Sequence, residues 1–310
     1  MENHFMQELI RILPKDQVRI REALKNHTSL HIGGEADYFV TPSTAEEIGA
    51  VLSLCKRVKM PYYIMGNGSN LLVSDLGYRG LIVKLGDNYS GISIREDGTV
   101  IAQAGVLLSK LANEIAAHSF TGFEFAAGIP GTLGGAVTMN AGAYDGEMKQ
   151  CLTGVKVMDH EGTIIDLTKD ELELGYRSSI LQKHKLILLE AEMKLVKGDK
   201  QKIMDRIQEL NSQRREKQPL EQYSAGSTFK RPVGYFAGKL INDAGLRGYQ
   251  VGDAAVSEKH CGFVINKGNA SALEFLSVVH DVIDTVNQKF GVTLEPEIKY
   301  LGEFNNSFKI

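Results

Sequence analysis

Residues 122–146 hold seven glycines in 25 positions, and within them Phe125–Tyr144 runs for 20 residues without a charge. No other stretch limits the fold of this chain as strongly. Glycine has no side chain to pack, and ordering it costs more backbone entropy than ordering any other residue. A segment built this way is poor core material, and close approach of its backbone to a ligand would offset the cost. Twenty uncharged residues also match a membrane span in length. However, Pro130, five glycines, Thr132, Thr138 and Asn140 interrupt any sustained apolar run, so a loop is expected and no membrane insertion. A flexible linker is the plain alternative, although linkers favour Ser, Glu and Lys over the Ile, Leu, Val and Met found here.

The rest of the composition is ordinary. A length of 310 residues is about twice that of a typical domain, so two domains are expected. Apolar residues at 43% and charged residues at 24% exclude a disordered chain. With 35 basic and 38 acidic residues, no basic excess argues for nucleic acid or an anionic membrane. Cys55, Cys151 and Cys261 lie far apart with no C-x-x-C pair, which suits a reducing compartment and excludes a disulfide scaffold. His27 and His31 flank a Thr-Ser-Leu stretch that reads as strand or turn, so helical metal spacing does not apply and no metal is expected. The N-terminus mixes Glu2, Arg11, Lys15 and Asp16 with apolar residues, which is not a signal-peptide core, and a cytoplasmic location is expected.

Along the chain, residues 1–25 read as an amphipathic lead-in helix. Ser43/Glu46 and Thr44/Glu47 are overlapping capping boxes for a helix to about Lys59. Short strands are expected at 36–40, 62–65, 71–73, 81–85, 92–94 and 99–103, and a helix at 107–118. A hairpin at 154–159 and 163–167 and a strand at 186–196 follow. A charged helix over 199–217 reads as a join between domains. Beyond it come a strand at 227–231, a helix at 235–244, and strands near 250–256 and 262–266. The last helix carries Ala272, Leu276, Val279, Ile283, Val286 and Phe290 as one apolar stripe. A final strand at 292–301 puts Glu295, Glu297 and Lys299 on one face. Many short strands without regular βαβ alternation indicate an α+β class.

Five constellations carry possible chemistry. Gly66-Asn67-Gly68-Ser69-Asn70-Leu71 follows a strand, where glycines let successive N–H groups turn toward an anion. A plain turn is the alternative, since Asn-Gly is a common turn pair. The second is the loop Gly128, Ile129, Pro130, Gly131, Thr132, Gly134, Gly135, Ala136, with Asn140 and Gly142 beyond it. Two such loops in one domain suggest a dinucleotide whose pyrophosphate is held by backbone. Third, Gly175-Tyr176-Arg177-Ser178-Ser179 offers an arginine able to fork a carboxylate. Fourth, Ser227 sits among the small residues of Ala225-Gly226-Ser227-Thr228. It does not match a nucleophile elbow, so it reads better as a proton donor than as a nucleophile. Fifth is the Glu295/Glu297 face, which in a plain reading is a solvated strand face.

Taken in order, these motifs resemble the UDP-N-acetylenolpyruvoylglucosamine reductases, flavoenzymes of bacterial cell-wall synthesis. The likeness rests on HTSLHIGG (27–34), GNGSNLL (66–72), AGIPGTLGGAVTMNAGAYDGE (127–147), GYRSS (175–179), AGSTFKRP (225–232), AGKLINDAGLRG (237–248), KHCGFVIN (259–266) and LEPEIKYLG (294–302). It implies a two-part FAD-binding domain of the vanillyl-alcohol-oxidase (PCMH) type followed by a smaller α+β substrate-binding domain. The corresponding ranges are 26–198, with halves at about 26–95 and 96–198, and 199–310. It further implies non-covalent FAD on the two glycine loops, and NADPH as hydride donor to reduce UDP-N-acetylglucosamine-enolpyruvate. By the same resemblance, Arg177, Ser227 and Glu297 take the family's catalytic positions, and Tyr176, Lys217 and Arg231 are expected to contact substrate. The chain is similar to the shorter form of the family, which lacks an extra tyrosine-bearing loop, and a monomer is expected. His27 and His31 stand where many relatives have Asn and Arg, and Arg231 where others have Asn. Another flavin oxidoreductase on the same FAD domain and a non-catalytic nucleotide binder are the rival readings.

Overall fold

The helix Ala45–Val58 starts where its capping box places it. The Thr44 hydroxyl accepts from the Glu47 N–H (3.1 Å) and the Glu47 carboxylate accepts from the N–H groups of Ser43 and Thr44. Ile48, Val51, Leu52 and Cys55 then bury one face of it. The computed structural model describes residues 2–304. Its contacts define two units that interleave along the chain: 1–20, 38–67 and 80–214 form the first, and 21–37, 68–79 and 215–310 the second. These units are defined by spatial contact, whereas the ranges implied by the family likeness are contiguous.

In the first unit, a five-stranded antiparallel sheet runs in the order Ile164–Thr168, Leu152–Met158, Ile187–Lys194, Thr99–Gln103, Ile92–Ile94. The short helix Leu133–Thr138 packs on its central strands and the helix Leu108–Ala117 joins the same core. A four-stranded sheet has the order Val18–Ala23, Glu35–Val40, Tyr78–Lys84, Tyr62–Met65, with its last two strands parallel. Three of these four strands carry the chain from one unit to the other. The lead-in is α-helical only over Glu2–Ile12, followed by a single 3-10 turn at Lys15–Gln17, and Val18–Ala23 is strand. Pro14 accounts for the break, because proline cannot donate to a continuing helix and disfavours helical backbone before it.

The second unit has a four-stranded antiparallel sheet, in the order Tyr223–Ser224, Val264–Asn266, Ala254–Val256, Gln250–Val251. Helix Ala272–Phe290 packs across it and buries Ala272, Leu276, Val279 and Val286 of the expected stripe. Its N-terminus is held twice, by a Ser271/Glu274 capping box and by the Asp75 carboxylate accepting from the Ala272 N–H (2.8 Å). Strand Leu71–Val73 pairs in parallel with Lys299–Leu301. Two expected strands shrink. Segment 227–231 keeps one isolated bridge, Phe229 to Pro296, and 292–301 is strand only over Lys299–Leu301. Pro296 donates nothing to a ladder, so regular pairing cannot extend through it. Among the described residues, no helix is long and apolar enough to cross a membrane.

Candidate active site

In the first unit Gly66 and Asn67 meet the second glycine motif. The Asn67 side-chain amide donates to the Pro130 carbonyl at 2.7 Å. A Cβ on Gly66 would lie 2.3 Å from the Thr132 hydroxyl, so glycine is required for that approach. The loop between them is fastened from behind. The Leu133 N–H donates to Val106 O and the Gly134 N–H to Ala104 O, both at 2.8 Å. Gly134 is thus a packing glycine, with a Cβ there 3.2 Å from the Ala104 methyl, whereas Gly135 is exposed with nothing closer than 3.9 Å.

The loop 66–70 has a different property. Among the described residues, the N–H groups of Asn67, Gly68, Ser69 and Asn70 donate to no protein acceptor. Four consecutive backbone donors without an internal partner form the kind of loop that takes an anion. A second charge feature lies beside Gly128, where a Cβ would sit 3.0 Å from Arg214 Nη1 and 2.9 Å from Asn211 Oδ1. Burial pushes the Arg214 guanidinium below its ordinary pKa. A cation withdrawn from water next to a glycine loop suits a phosphorylated ligand. Composition alone hid this residue inside a charged helix. Its signal was spacing: Ile203, Ile207 and Leu210 are buried on helix Lys200–Lys217, and 214 is the next position of that 4-3-4 stripe.

Arg177 projects from a tight turn in the same unit. Gly175 and Ser178 exchange backbone hydrogen bonds (3.1 and 3.3 Å), leaving Tyr176 and Arg177 at the tip. Arg177 has φ +53°, at the turn position where glycine or asparagine is preferred. Its guanidinium lies 5.4 Å from the centroid of the exposed Tyr176 ring. Asn140, also left-handed at φ +42°, is buried and directs its side chain inward. Its amide donates to Glu147 Oε2 (3.0 Å) and Gly175 O (3.1 Å), and its Oδ1 accepts from the Lys149 N–H (2.9 Å). Gly142 sits in the small hairpin 142–147, where a Cβ would meet Gly146 O at 2.7 Å.

In the second unit, Ser227 and Glu297 are brought into one register by Thr228. The Glu297 N–H donates to Thr228 O and the Lys230 N–H to Glu295 O, each at 2.8 Å. Thr228 is fully buried; its N–H donates to Gly262 O and its hydroxyl accepts from the Val264 N–H, again at 2.8 Å. Ser227, just before this anchor, is exposed. Gly226 at φ +76° turns the chain into it with no atom within 4 Å of a would-be Cβ, so conformation alone demands glycine there. Asn70 reaches the same strand: its amide donates to Glu297 O (3.2 Å) and its carbonyl accepts from the Lys299 N–H (3.0 Å). Leu71 begins the parallel pairing with Lys299.

Of the residues expected to contact substrate, Arg231 lies 4.1 Å from the centroid of the Phe236 ring, and Lys217 is exposed at the end of helix Lys200–Lys217. His27 pairs with Glu22 at 2.7 Å, while His31 stacks on Tyr223 with centroids 4.0 Å apart.

Comparison with known proteins gives the family. Residues 36–168 match an FAD binding domain, and 218–301 match the UDP-N-acetylenolpyruvoylglucosamine reductase C-terminal domain. A protein named UDP-N-acetylenolpyruvoylglucosamine reductase from Lachnoclostridium phytofermentans is 54% identical, covering 98% of this chain and 99% of its own. One of the same name from Clostridium tetani is 52% identical over 96% of this chain and 97% of its own. The crystal structure of the reductase from Thermus caldophilus aligns at a TM-score of 0.78 and 36% identity, covering 92% of this chain and all of that one. A glucose dehydrogenase, Phl p 4.0202, shares the fold only, at a TM-score of 0.50 and 14% identity over 94% of this chain and 59% of its own.

Proposed function

The chain belongs to the UDP-N-acetylenolpyruvoylglucosamine reductase family and is an FAD-dependent oxidoreductase; on that premise we propose how its own residues carry the reaction. The substrate is the enolpyruvyl ether of UDP-N-acetylglucosamine and the product UDP-N-acetylmuramate, a peptidoglycan precursor. The observation that carries this reading is the register set by Thr228, which holds an exposed serine and a glutamate on adjoining backbone (Glu297 N–H to Thr228 O, 2.8 Å).

The residues present fit FAD. The unpartnered N–H groups of 67–70, the glycine loop 128–136 and the buried Arg214 guanidinium offer backbone donors and positive charge to its phosphates. These residues would hold FAD without a covalent bond, and the chemistry it would supply there is hydride transfer from NADPH to the enolpyruvyl β-carbon. Reduction at the β-carbon leaves negative charge on the α-carbon and its carboxylate. Arg177 and Glu297 stabilise that charge, with the Arg177 guanidinium able to fork the carboxylate. Preorganised donors of this kind contribute about 3–4 kcal/mol each. Ser227 delivers a proton to the α-carbon. A hydroxyl is a weak acid, but the carbanion it meets is a strong base, so the transfer is downhill. Tyr176, Lys217 and Arg231 grip the rest of the substrate, with Lys217 suited to a phosphate.

The working domain boundaries are 26–198 for FAD and 199–310 for substrate, and the protein acts in the cytoplasm as a monomer. The test is NADPH oxidation by the purified yellow protein. It should run at full rate only with the enolpyruvyl sugar nucleotide present. A colourless preparation that FAD cannot reconstitute, or NADPH oxidation indifferent to that substrate, would overturn the reading.

A further inference from the structure

The Arg177 turn is held in a left-handed backbone conformation that arginine does not favour, and something must over-determine it. The structure shows what does. Gln182, on the short helix Ile180–His184, sends both hydrogens of its amide to main-chain carbonyls. One goes to Arg177 O (3.2 Å) and the other to Thr138 O (2.9 Å). Two carbonyl acceptors on one side-chain group require the nitrogen, not the oxygen, at that position. Thr138 is the last residue of helix Leu133–Thr138, whose first turn grows out of the glycine loop. Its carbonyl also accepts from the hydroxyl of the fully buried Ser179 at 2.5 Å. From the other side of the turn, the Asn140 amide holds Gly175 O. The turn that carries Arg177 and the helix that follows the glycine loop are therefore fastened through side chains on both flanks.

We propose that Gln182 is a positioning residue for Arg177: its amide ties the strained carbonyl of Arg177 to the end of the glycine-loop helix and so sets where the guanidinium points. The inference rests on the role given to Arg177 above. It also gives Asn140 a part in the same scaffold, since its side chain is occupied within the protein. Gln182 touches neither substrate nor cofactor in this account. Its loss should spare hydride uptake from NADPH and affect only the half-reaction in which Arg177 works.

The experiment compares wild type, Gln182→Glu, Gln182→Met and Arg177→Ala as holoenzymes, with each half-reaction followed anaerobically by flavin absorbance. Gln182→Glu keeps the shape but turns a carboxylate oxygen toward two carbonyls; Gln182→Met keeps volume and removes the donors. Misplacing a reacting group by about 1 Å costs on the order of 10²-fold. Both Gln182 variants are expected to be reduced by NADPH at the wild-type rate and reoxidised by the enolpyruvyl substrate about 10²-fold more slowly. Amide exchange at Ser178, read on the FAD-free chain, should be faster in both. If Arg177→Ala is slow in reoxidation while both Gln182 variants match wild type, the positioning role is wrong and the reading of Arg177 stands. If Arg177→Ala itself reoxidises at the wild-type rate, the reading of Arg177 fails and the proposal falls with it. Parallel loss of both half-reactions and of bound flavin would show a general structural role and overturn the proposal.

Discussion

The Arg177 turn and the Ser227–Glu297 segment present side chains to the same proposed chemistry but are held by different forces. Arg177 stands on a two-residue tip at φ +53°, secured by side-chain amides from Asn140 and Gln182. Ser227 and Glu297 are secured by backbone bonds through Thr228 and Lys230, with the Thr228 hydroxyl buried as a further acceptor. In the proposed mechanism the guanidinium that meets the developing charge is placed by a strained, clamped turn. The hydroxyl and carboxyl of that mechanism are placed by main-chain pairing. The first region should be sensitive to side-chain changes that leave stability intact. In the second, function and stability should separate cleanly, because the functional side chains do not hold the fold.

The largest expected effect tests that separation. Ser227→Ala should slow reoxidation by the enolpyruvyl substrate by about 10²–10⁴-fold, the usual contribution of a positioned acid. Flavin reduction by NADPH and the urea midpoint should stay at wild-type values, because Ser227 is exposed and the anchor is Thr228. Next is Arg177→Gly. Turnover should fall by about 10²-fold, as for loss of an oxyanion donor. Stability should rise by about 1 kcal/mol, because glycine accepts the left-handed backbone that arginine resists. A variant that loses stability would mean the turn is not strained.

A smaller effect is expected at Thr228. Thr228→Val removes the acceptor of the Val264 N–H in a fully buried place, and should lower unfolding free energy by about 1–3 kcal/mol in urea titrations. The smallest is a pH effect at His260. Burial holds its imidazole below the ordinary pKa, and its Nδ1 accepts from the Gly262 N–H at 3.1 Å. As pH falls through about 6.5, the unfolded chain gains a proton that the folded one refuses, so stability should drop until the folded pKa is passed. His260→Gln should flatten that part of a urea-midpoint series taken between about pH 8 and about pH 5.

Local chemistry made some backbone features legible from the residues alone. The glycines at 66–68 and 128–135 predict close approach to a ligand, whereas the close approaches the structure contains are internal, Gly66 against Thr132 and Gly134 against Ala104. The Thr44/Glu47 box marked its helix because capping is local chemistry. Alternation predicts a strand over 292–301 and a strand is expected at 227–231, but their pairing reduces to a few long-range bonds around Pro296, which no local pattern encodes. The clamp on Arg177 was equally hidden: Gln182, Asn140 and Thr138 are scattered residues with no shared motif. The roles proposed for Ser227 and Glu297 come from family likeness and not from composition, since a serine among small residues has many uses.

In the proposed mechanism Ser227 serves only the second half of a two-part reduction, on a chain that holds FAD. The most direct measurement is the visible spectrum of wild type and Ser227→Ala, taken anaerobically before NADPH, after one equivalent of NADPH, and after adding the enolpyruvyl sugar nucleotide. Both proteins should start yellow and bleach with NADPH, and only the wild type should regain its colour promptly with the substrate. Recovery of colour in Ser227→Ala at the wild-type rate would contradict the account.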